Sequence, residues 1–257
     1  MPTPSPTQMG SASVILSVQN VTKTFGTLAA VANMSFDVER GEIFGIAGPN
    51  GAGKSTLLNV CTGMLPLDSG EIFFNGDRVD GYSPHRLCHS GLARTFQIPQ
   101  IFTSMSIHDN VDTGAMFGIG SQSPDGRAKK ELVEDILDMT GLAPKRDVQA
   151  GKVDLLTRKM TMLAAALATR PKLVFMDEPL AGLTSDEIDQ MVELILRLKQ
   201  RLNITIMLIE HKVRALSELS DRIMIAHQGQ RICLDVPEKV LRDELVVEVY
   251  LGSEFFA

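Results

Sequence analysis

Three short runs of the chain are apolar almost without a break: "IFGIAG" (Ile43 to Gly48), "LVFM" (Leu173 to Met176) and "ITIMLIE" (Ile204 to Glu210). Runs of this length, with no polar alternation, predict strands buried on both faces. Elsewhere the pattern is different. Met34, Phe36 and Val38 alternate with polar residues up to a turn at Arg40-Gly41, which predicts a half-buried strand. A further strand is expected over Ser13 to Val21. "GEIFFNGDRV" reads as a strand leading into an Asn-Gly turn, and "RIMIAHQGQRICLD" as a hairpin around Gln228-Gly229. Between these lie helical periods. "KSTLLNVCTGML" places Leu57, Leu58, Cys61 and Leu65 on one side. "RAKKELVEDILDMTGL" does the same with Leu132, Ile136, Leu137 and Met139. "SDEIDQMVELILRLKQRL" is amphipathic with Ser185 as its expected N-cap, "RALSELS" is helical, and a last helix is expected from about Pro237. Strands alternating with helices imply an α/β fold around a mostly parallel sheet. The segment from Ser106 to Thr140 interrupts that alternation with helix alone, joined by the loop "IGSQSPDG".

Composition narrows the picture. The 257 residues show no internal repeat and no dividing linker, so one large domain is expected. A net charge of −6 gives no support to a nucleic-acid surface, and no nucleic-acid partner is expected. The three cysteines, Cys61, Cys88 and Cys233, have no metal-ligand spacing and read as small apolar residues in a reducing compartment. No run approaches the roughly 18 apolar residues of a membrane span. Residues 1–12, rich in Pro, Ser and Thr, read as a disordered tail with neither the charge nor the apolar stretch of a secretory signal. The chain is therefore expected to be soluble, or peripheral to a membrane through a partner.

The chemistry starts where the first buried strand ends. "GPNGAGKST" runs through Gly48, Pro49, Asn50, Gly51, Ala52, Gly53, Lys54, Ser55 and Thr56, between a strand and a helix. That is a phosphate-binding loop in its proper setting. Its glycines let the backbone turn N–H groups inward, and the positive end of the following helix adds attraction for phosphate. Lys54 can bridge the β- and γ-phosphates, and Ser55 offers Mg²⁺ a hard oxygen. Asp177 and Glu178 end a second buried strand. Parallel packing brings them to the same sheet edge, with Asp177 placed to hold Mg²⁺ through water and Glu178 to polarise a water attacking the γ-phosphate. His211 ends a third strand at that edge and is expected to sense the γ-phosphate. ATP and Mg²⁺ are thus the expected cofactors, and Glu178 and His211 the expected catalytic pair.

A phosphate loop, an Asp-Glu pair and a strand-end His, in this order, resemble the ATPase subunits of ABC transporters. "GLARTFQIPQ" resembles that family's Q-loop, which implies that Gln97 reaches Mg²⁺ and the attacking water. "LAGLT" (Leu180 to Thr184) stands at the D-loop. Phe25 in "KTFG" matches an aromatic that stacks on adenine, and a core phenylalanine is the other reading of it. The resemblance runs from about Ser13 to Gly252. "ARTFQIPQIF" and "VVEVYLG" are similar to the ATPases of branched-chain amino acid and amide importers. The family implies a RecA-like P-loop ATPase core, an antiparallel β-subdomain and an inserted α-helical subdomain. Here these form one ABC ATPase domain over residues 13–257, with the helical part at about 98–167. It also implies two separate transmembrane permease subunits, a second ATPase subunit closing head to tail around two ATP molecules, and a solute-binding protein acting indirectly. The implied location is cytoplasmic, on the inner face of the cell membrane.

One motif departs from the family. Its signature, often LSGGQ at the start of a helix, falls at "VDLLT" when counted back without gaps from the Asp-Glu strand: Val153, Asp154, Leu155, Leu156 and Thr157. Asp154 then stands at the serine and Leu156 at a glycine, while Ala165 stands where an arginine is common. A second register, "LTRKM" from Leu156 to Met160, puts Thr157 at the serine and shortens the helix. The first register is preferred because helix length is hard to change inside a packed core. Neither restores the glycine. A serine and a glycine N–H at a helix start would bind a partner's γ-phosphate, which a carboxylate repels. The expectation is an asymmetric pair with a different ATPase subunit. Two other classes stand beside it: a soluble ABC ATPase outside transport, and a regulatory nucleotide-binding subunit with little hydrolysis.

Overall fold

The computed structural model describes residues 13–118 and 126–251. The expected tail and most of the loop "IGSQSPDG" lie outside the described residues. In chain order the elements are β1 (Val14–Phe25), β2 (Leu28–Glu39), β3 (Ile43–Ala47), α1 (Lys54–Cys61), β4 (Ser69–Phe74), β5 (Asp77–Arg78), α2 (Pro84–Ser90), β6 (Leu92–Arg94), α3 (Ile107–Ala115) and α4 (Gly126–Met139). Two short 3₁₀ turns then lead to α5 (Leu155–Ala168), β7 (Leu173–Asp177), α6 (Ser185–Leu202), β8 (Thr205–Ile209), α7 (Val213–Leu219), β9 (Arg222–His227), β10 (Gln230–Asp235), α8 (Pro237–Val240) and α9 (Glu244–Val246).

The continuous apolar runs become the middle of a six-stranded sheet, ordered β10-β9-β3-β8-β7-β6. All its neighbours are parallel except β10, which returns antiparallel along β9. Side chains alternate between two cores, as the strand period requires. Phe44, Ile46, Phe175, Met207 and Ile209 face a core shared with α1 and the four-stranded antiparallel sheet β2-β1-β4-β5. Ile43, Val174, Met176, Ile206 and Leu208 face the other core, with α3 to α7. Neither face of these strands meets water, so polar alternation is absent from them. Phe36 of β2 stacks on Phe44 of β3 with ring centroids 5.3 Å apart, joining the two sheets. Each such buried side chain stabilises the fold by about 1.5–3 kcal/mol.

Register places the site. Ile209 pairs with both Ile46 and Asp177, so β3, β8 and β7 end level with one another. The turns leaving these strands carry the phosphate loop, Glu178 and His211.

Several boundaries differ from expectation. Thr184, not Ser185, caps α6, because Glu187 reaches back to the Thr184 N–H at 2.8 Å and hydroxyl at 2.9 Å. Leu65 lies beyond α1, which ends at Cys61. His211 lies two residues past the end of β8. The last helix is broken: α8 stops at Val240, and Asp243 starts α9 by accepting the Val246 N–H at 3.0 Å. Helix α2 and strand β6 are additional elements. Ser83 and Pro84 open α2, and Gly91, at φ 102, closes it directly before β6.

Helices α3 and α4 pack on α5. Val133 belongs with Ile136 and Leu137 on the buried stripe of α4. At the crossing of α3 and α5 a Cβ on Gly114 would stand 2.1 Å from the Ala165 carbonyl oxygen, so the two backbones meet with no side chain between them. The three cysteines are free thiols, and burial pushes Cys61 up to about 12. Among the described residues no helix is long and apolar enough to cross a membrane.

Candidate nucleotide site

The loop between β3 and α1 has the backbone that its glycines permit. Gly48, Gly51 and Gly53 have φ of 148°, 79° and 93°. Space is as restrictive as torsion: a Cβ on Gly48 would stand 2.1 Å from the Ala226 carbonyl oxygen, and one on Gly53 1.9 Å from that of Ala30. Inside the loop the Lys54 ammonium donates to the carbonyl oxygens of Gly48 (2.6 Å) and Pro49 (3.0 Å). Burial lowers its pKa, and the charges of Glu178 and Asp177 oppose that shift. Ala52 is buried, while Asn50, Gly51 and Ser55 are exposed.

A cleft of about 600 Å³ opens over this loop. Residues 50–56 form its floor, Phe25, Leu28, Ala29 and Ala30 one wall, and Glu178, His211 and Gln228 the other. Phe25 is 50% exposed at the cleft rim, which removes the reading of it as a core residue. Gly48, Pro49, Asp177 and Gln97 are not among the cleft-lining residues.

The Asp-Glu pair divides in two directions. Asp177 Oδ2 accepts from Arg94 Nη2 at 3.0 Å in a largely buried ion pair. Arg94 also donates to Asn59 Oδ1 (2.6 Å) and Thr62 Oγ1 (3.1 Å), tying β6 to α1 and β7. Glu178 leaves the strand with a left-handed backbone, φ 46°. Its carboxylate takes two partners: Gln97 Nε2 donates to Oε2 at 2.6 Å, and His211 Nε2 lies 2.9 Å from Oε1. Three residues from three separate turns thus meet at one carboxylate. That arrangement can hold and orient a proton acceptor beside whatever fills the cleft.

Two buried charges support this edge. Glu210, 2% exposed, accepts from the N–H groups of Leu180 (2.7 Å) and His211 (3.2 Å), and burial raises its carboxyl above the usual range. Lys159 lies beneath Gln97 and Glu178. Arg94, Lys159, Glu210 and Gln228 have no site role in any sequence motif and are brought to this edge by the fold. The signal for Glu210 and Lys159 is a charge on an otherwise apolar strand or helix face.

At the far end of α5 the helix starts at Leu155 with Asp154 as N-cap. Asp154 Oδ1 accepts the Thr157 N–H at 2.7 Å. That bond, with a smaller contribution from Lys145, holds the Asp154 carboxyl below its usual range, so it is anionic at neutral pH. Lys145 Nζ lies 3.6 Å from Asp154 Oδ2 and donates to Thr157 Oγ1 at 3.0 Å. Thr157 and Leu156 are buried, Leu155 is exposed, and Val153 packs partly on the core. A Cβ on Gly182 would stand 3.1 Å from Leu155 Cδ2, so this tip lies against the segment Leu180 to Thr184.

Comparison with known proteins gives one consistent result. The pattern of the family described as ABC transporter matches residues 31–181. The chain is 30% identical over 250 residues to the high-affinity branched-chain amino acid transport ATP-binding protein BraF of Pseudomonas aeruginosa, covering 93% of this chain and 98% of that one. It is 31% identical over 250 residues to the corresponding protein LivG of Escherichia coli, with the same coverage. A nucleotide-free ATP-binding cassette from an ABC transporter superposes with a TM-score of 0.82 at 31% identity, covering 93% of this chain and all of the other (100%). A second cassette, in its ADP conformation, gives 0.82 at 33% identity over 93% of this chain and 99% of the other. The match spans both the phosphate loop and the Asp-Glu edge. The chain therefore belongs to the ABC transporter family, as an ATP-binding cassette that hydrolyses ATP to drive transport.

Proposed function

We propose that this chain is the ATPase subunit of an importer for branched-chain amino acids, amides or related small solutes, and that it works in an asymmetric pair. The observation that carries the catalytic reading is the Glu178 carboxylate, held between Gln97 and His211 on the wall of the phosphate-loop cleft. The names of the relatives carry the solute class.

In this reading Gly48 to Thr56 cradle the phosphates, Lys54 reaches the β- and γ-oxygens, and Phe25 stacks on adenine. Glu178 accepts the proton of the attacking water, and His211 orients the carboxylate and senses the γ-phosphate. Mg²⁺ suits the oxygens on offer: Ser55 Oγ, Asp177 Oδ1 and Gln97 Oε1. The Gln97 amide that donates to Glu178 leaves its Oε1 as an acceptor. Among the described residues no group of three or more His, Cys, Asp or Glu is arranged to hold a metal ion. When bound, Mg²⁺ neutralises charge developing on the phosphates.

The helical region at about 98–167, within one ATPase domain over 13–257, is the permease-docking part. Its exposed Ile98, Phe102, Met116 and Phe117 support that role. Two transmembrane permeases, a second ATPase subunit and, indirectly, a solute-binding protein complete the assembly on the inner face of the membrane. The expected result is ATP-driven accumulation of labelled leucine by proteoliposomes holding the assembled complex. Accumulation of urea or acetamide with none of leucine, isoleucine or valine reassigns the solute to an amide.

Asymmetry follows from the tip of α5. Val153 to Thr157 stand at the signature, and there the anionic Asp154 occupies the helix N-terminus that a partner's γ-phosphate would use. Two like charges about 4 Å apart repel by roughly 4 kcal/mol near a protein surface. The chain alone is expected to turn over ATP at least about 10-fold slower than the mixed pair, and the double change D154S/L156G to recover much of that gap. Brisk, cooperative hydrolysis by the purified chain without a partner would end the asymmetric reading. A small effect of D154S/L156G would favour a regulatory subunit.

A further inference from the structure

Lys159 is a cation on the buried face of α5, 3% exposed, between Leu156 and Leu163 in the helical period. Among the described residues its ammonium has no carboxylate within ion-pair distance. It donates instead to two main-chain carbonyls, those of Glu178 (3.1 Å) and Gln97 (3.3 Å). These are the two residues whose side chains meet 2.6 Å apart above it. Burial lowers the pKa of Lys159, while the charges of Glu210 and Glu178 act to keep it protonated. An apolar side chain of similar length would bury here at lower cost, so packing does not call for an ammonium.

The main chain of Glu178 explains what an ammonium does here. Its φ of 46° is unusual for a residue with a side chain and persists only when neighbours hold it. The Glu178 N–H donates to the Ile209 carbonyl at 3.0 Å. The Glu178 carbonyl accepts from the Ala181 N–H at 3.2 Å and from Lys159. Lys159 is the one of these partners that also reaches the Gln97 segment. We infer that Lys159 is a positioning residue for hydrolysis: its ammonium holds the backbones of Glu178 and Gln97 in the register that lets carboxylate and amide meet. The inference rests on the proposed role of Glu178.

Because Lys159 lies one turn into the helix that Asp154 starts, it also joins the partner-facing tip of the chain to the proton acceptor of the chain's own site.

The test uses the assembled transporter carrying K159M. The expected result is kcat lower by about 10- to 100-fold with the KM for ATP within about threefold, because misplacing a reacting group by about 1 Å costs rate and not ground-state binding. In an E178Q background, K159M should add less than about twofold to the single-turnover defect, since its effect passes through the carboxylate. If K159M does not assemble, K159L, which likewise removes every side-chain donor, is measured against the same limits. A kcat within about twofold of the parent, or a fully additive loss in the E178Q background, overturns the inference. If E178Q itself turns over at the parental rate, the role of Glu178 falls first; if E178Q is slow and K159M is not, only Lys159 loses its role.

Discussion

Glu178→Gln in the assembled transporter is expected to leave ATP binding intact and to slow hydrolysis by roughly 10²–10⁴-fold, the range for removing a positioned general base. The substitution is nearly isosteric, so Gln97 Nε2 still finds an oxygen at the place where it now meets Oε2. The other end of the new amide still faces His211 Nε2. The left-handed backbone at residue 178 is held by main-chain groups and Lys159, which the change does not touch. Stability should therefore stay within about 0.5 kcal/mol of the parent. What is lost is the ability to take a proton. Phosphate release and retention of labelled ATP report the two halves of the expectation. A variant that still hydrolyses within about tenfold of the parental rate would remove Glu178 from the chemistry.

Lys54→Met should weaken ATP binding by about 30- to 1,000-fold, read by titration with a fluorescent ATP analogue. Charge-assisted hydrogen bonds contribute about 1.5–3 kcal/mol each, and an ammonium in the loop can offer more than one to phosphate. The ammonium donates to the carbonyl oxygens of Gly48 and Pro49. Its burial lowers the pKa, so the charge is held at a cost that methionine does not carry. The nucleotide-free variant should accordingly melt no lower than the parent. An affinity within about threefold of the parent would mean that the loop binds through its backbone N–H groups alone.

Much of this was legible in the order of residues because the strongest signals are local. Ile43 to Ala47, Leu173 to Met176 and Ile206 to Ile209 are apolar on both faces, and only an interior sheet accommodates that. A run of that kind that ends in a glycine loop, a carboxylate pair or a histidine marks a sheet edge with chemistry on it. Gln97 came from family likeness, and the structure places its amide on Glu178. What the residues alone did not reveal depends on neighbours far along the chain. Strand β6 is three residues long and exists because Leu92 to Arg94 pair with Leu173 to Phe175. Arg94 takes Asp177 as a partner across 83 positions, a bond no spacing rule anticipates. Thr184 outcompetes Ser185 as a cap because Glu187 lies three residues after the former. Lys159 and Glu210 looked like ordinary charges until their surroundings closed over them.

The crossing of α3 and α5 has a mechanical consequence. With Gly114 seated directly on the Ala165 carbonyl, no compressible side chain separates the helices. The crossing lies at the C-terminal end of α3, and Met116 and Phe117, directly after it, stand exposed. The two helices are therefore expected to move as one body at this crossing, with the exposed Met116 and Phe117 carried along rather than uncoupled by a yielding side chain.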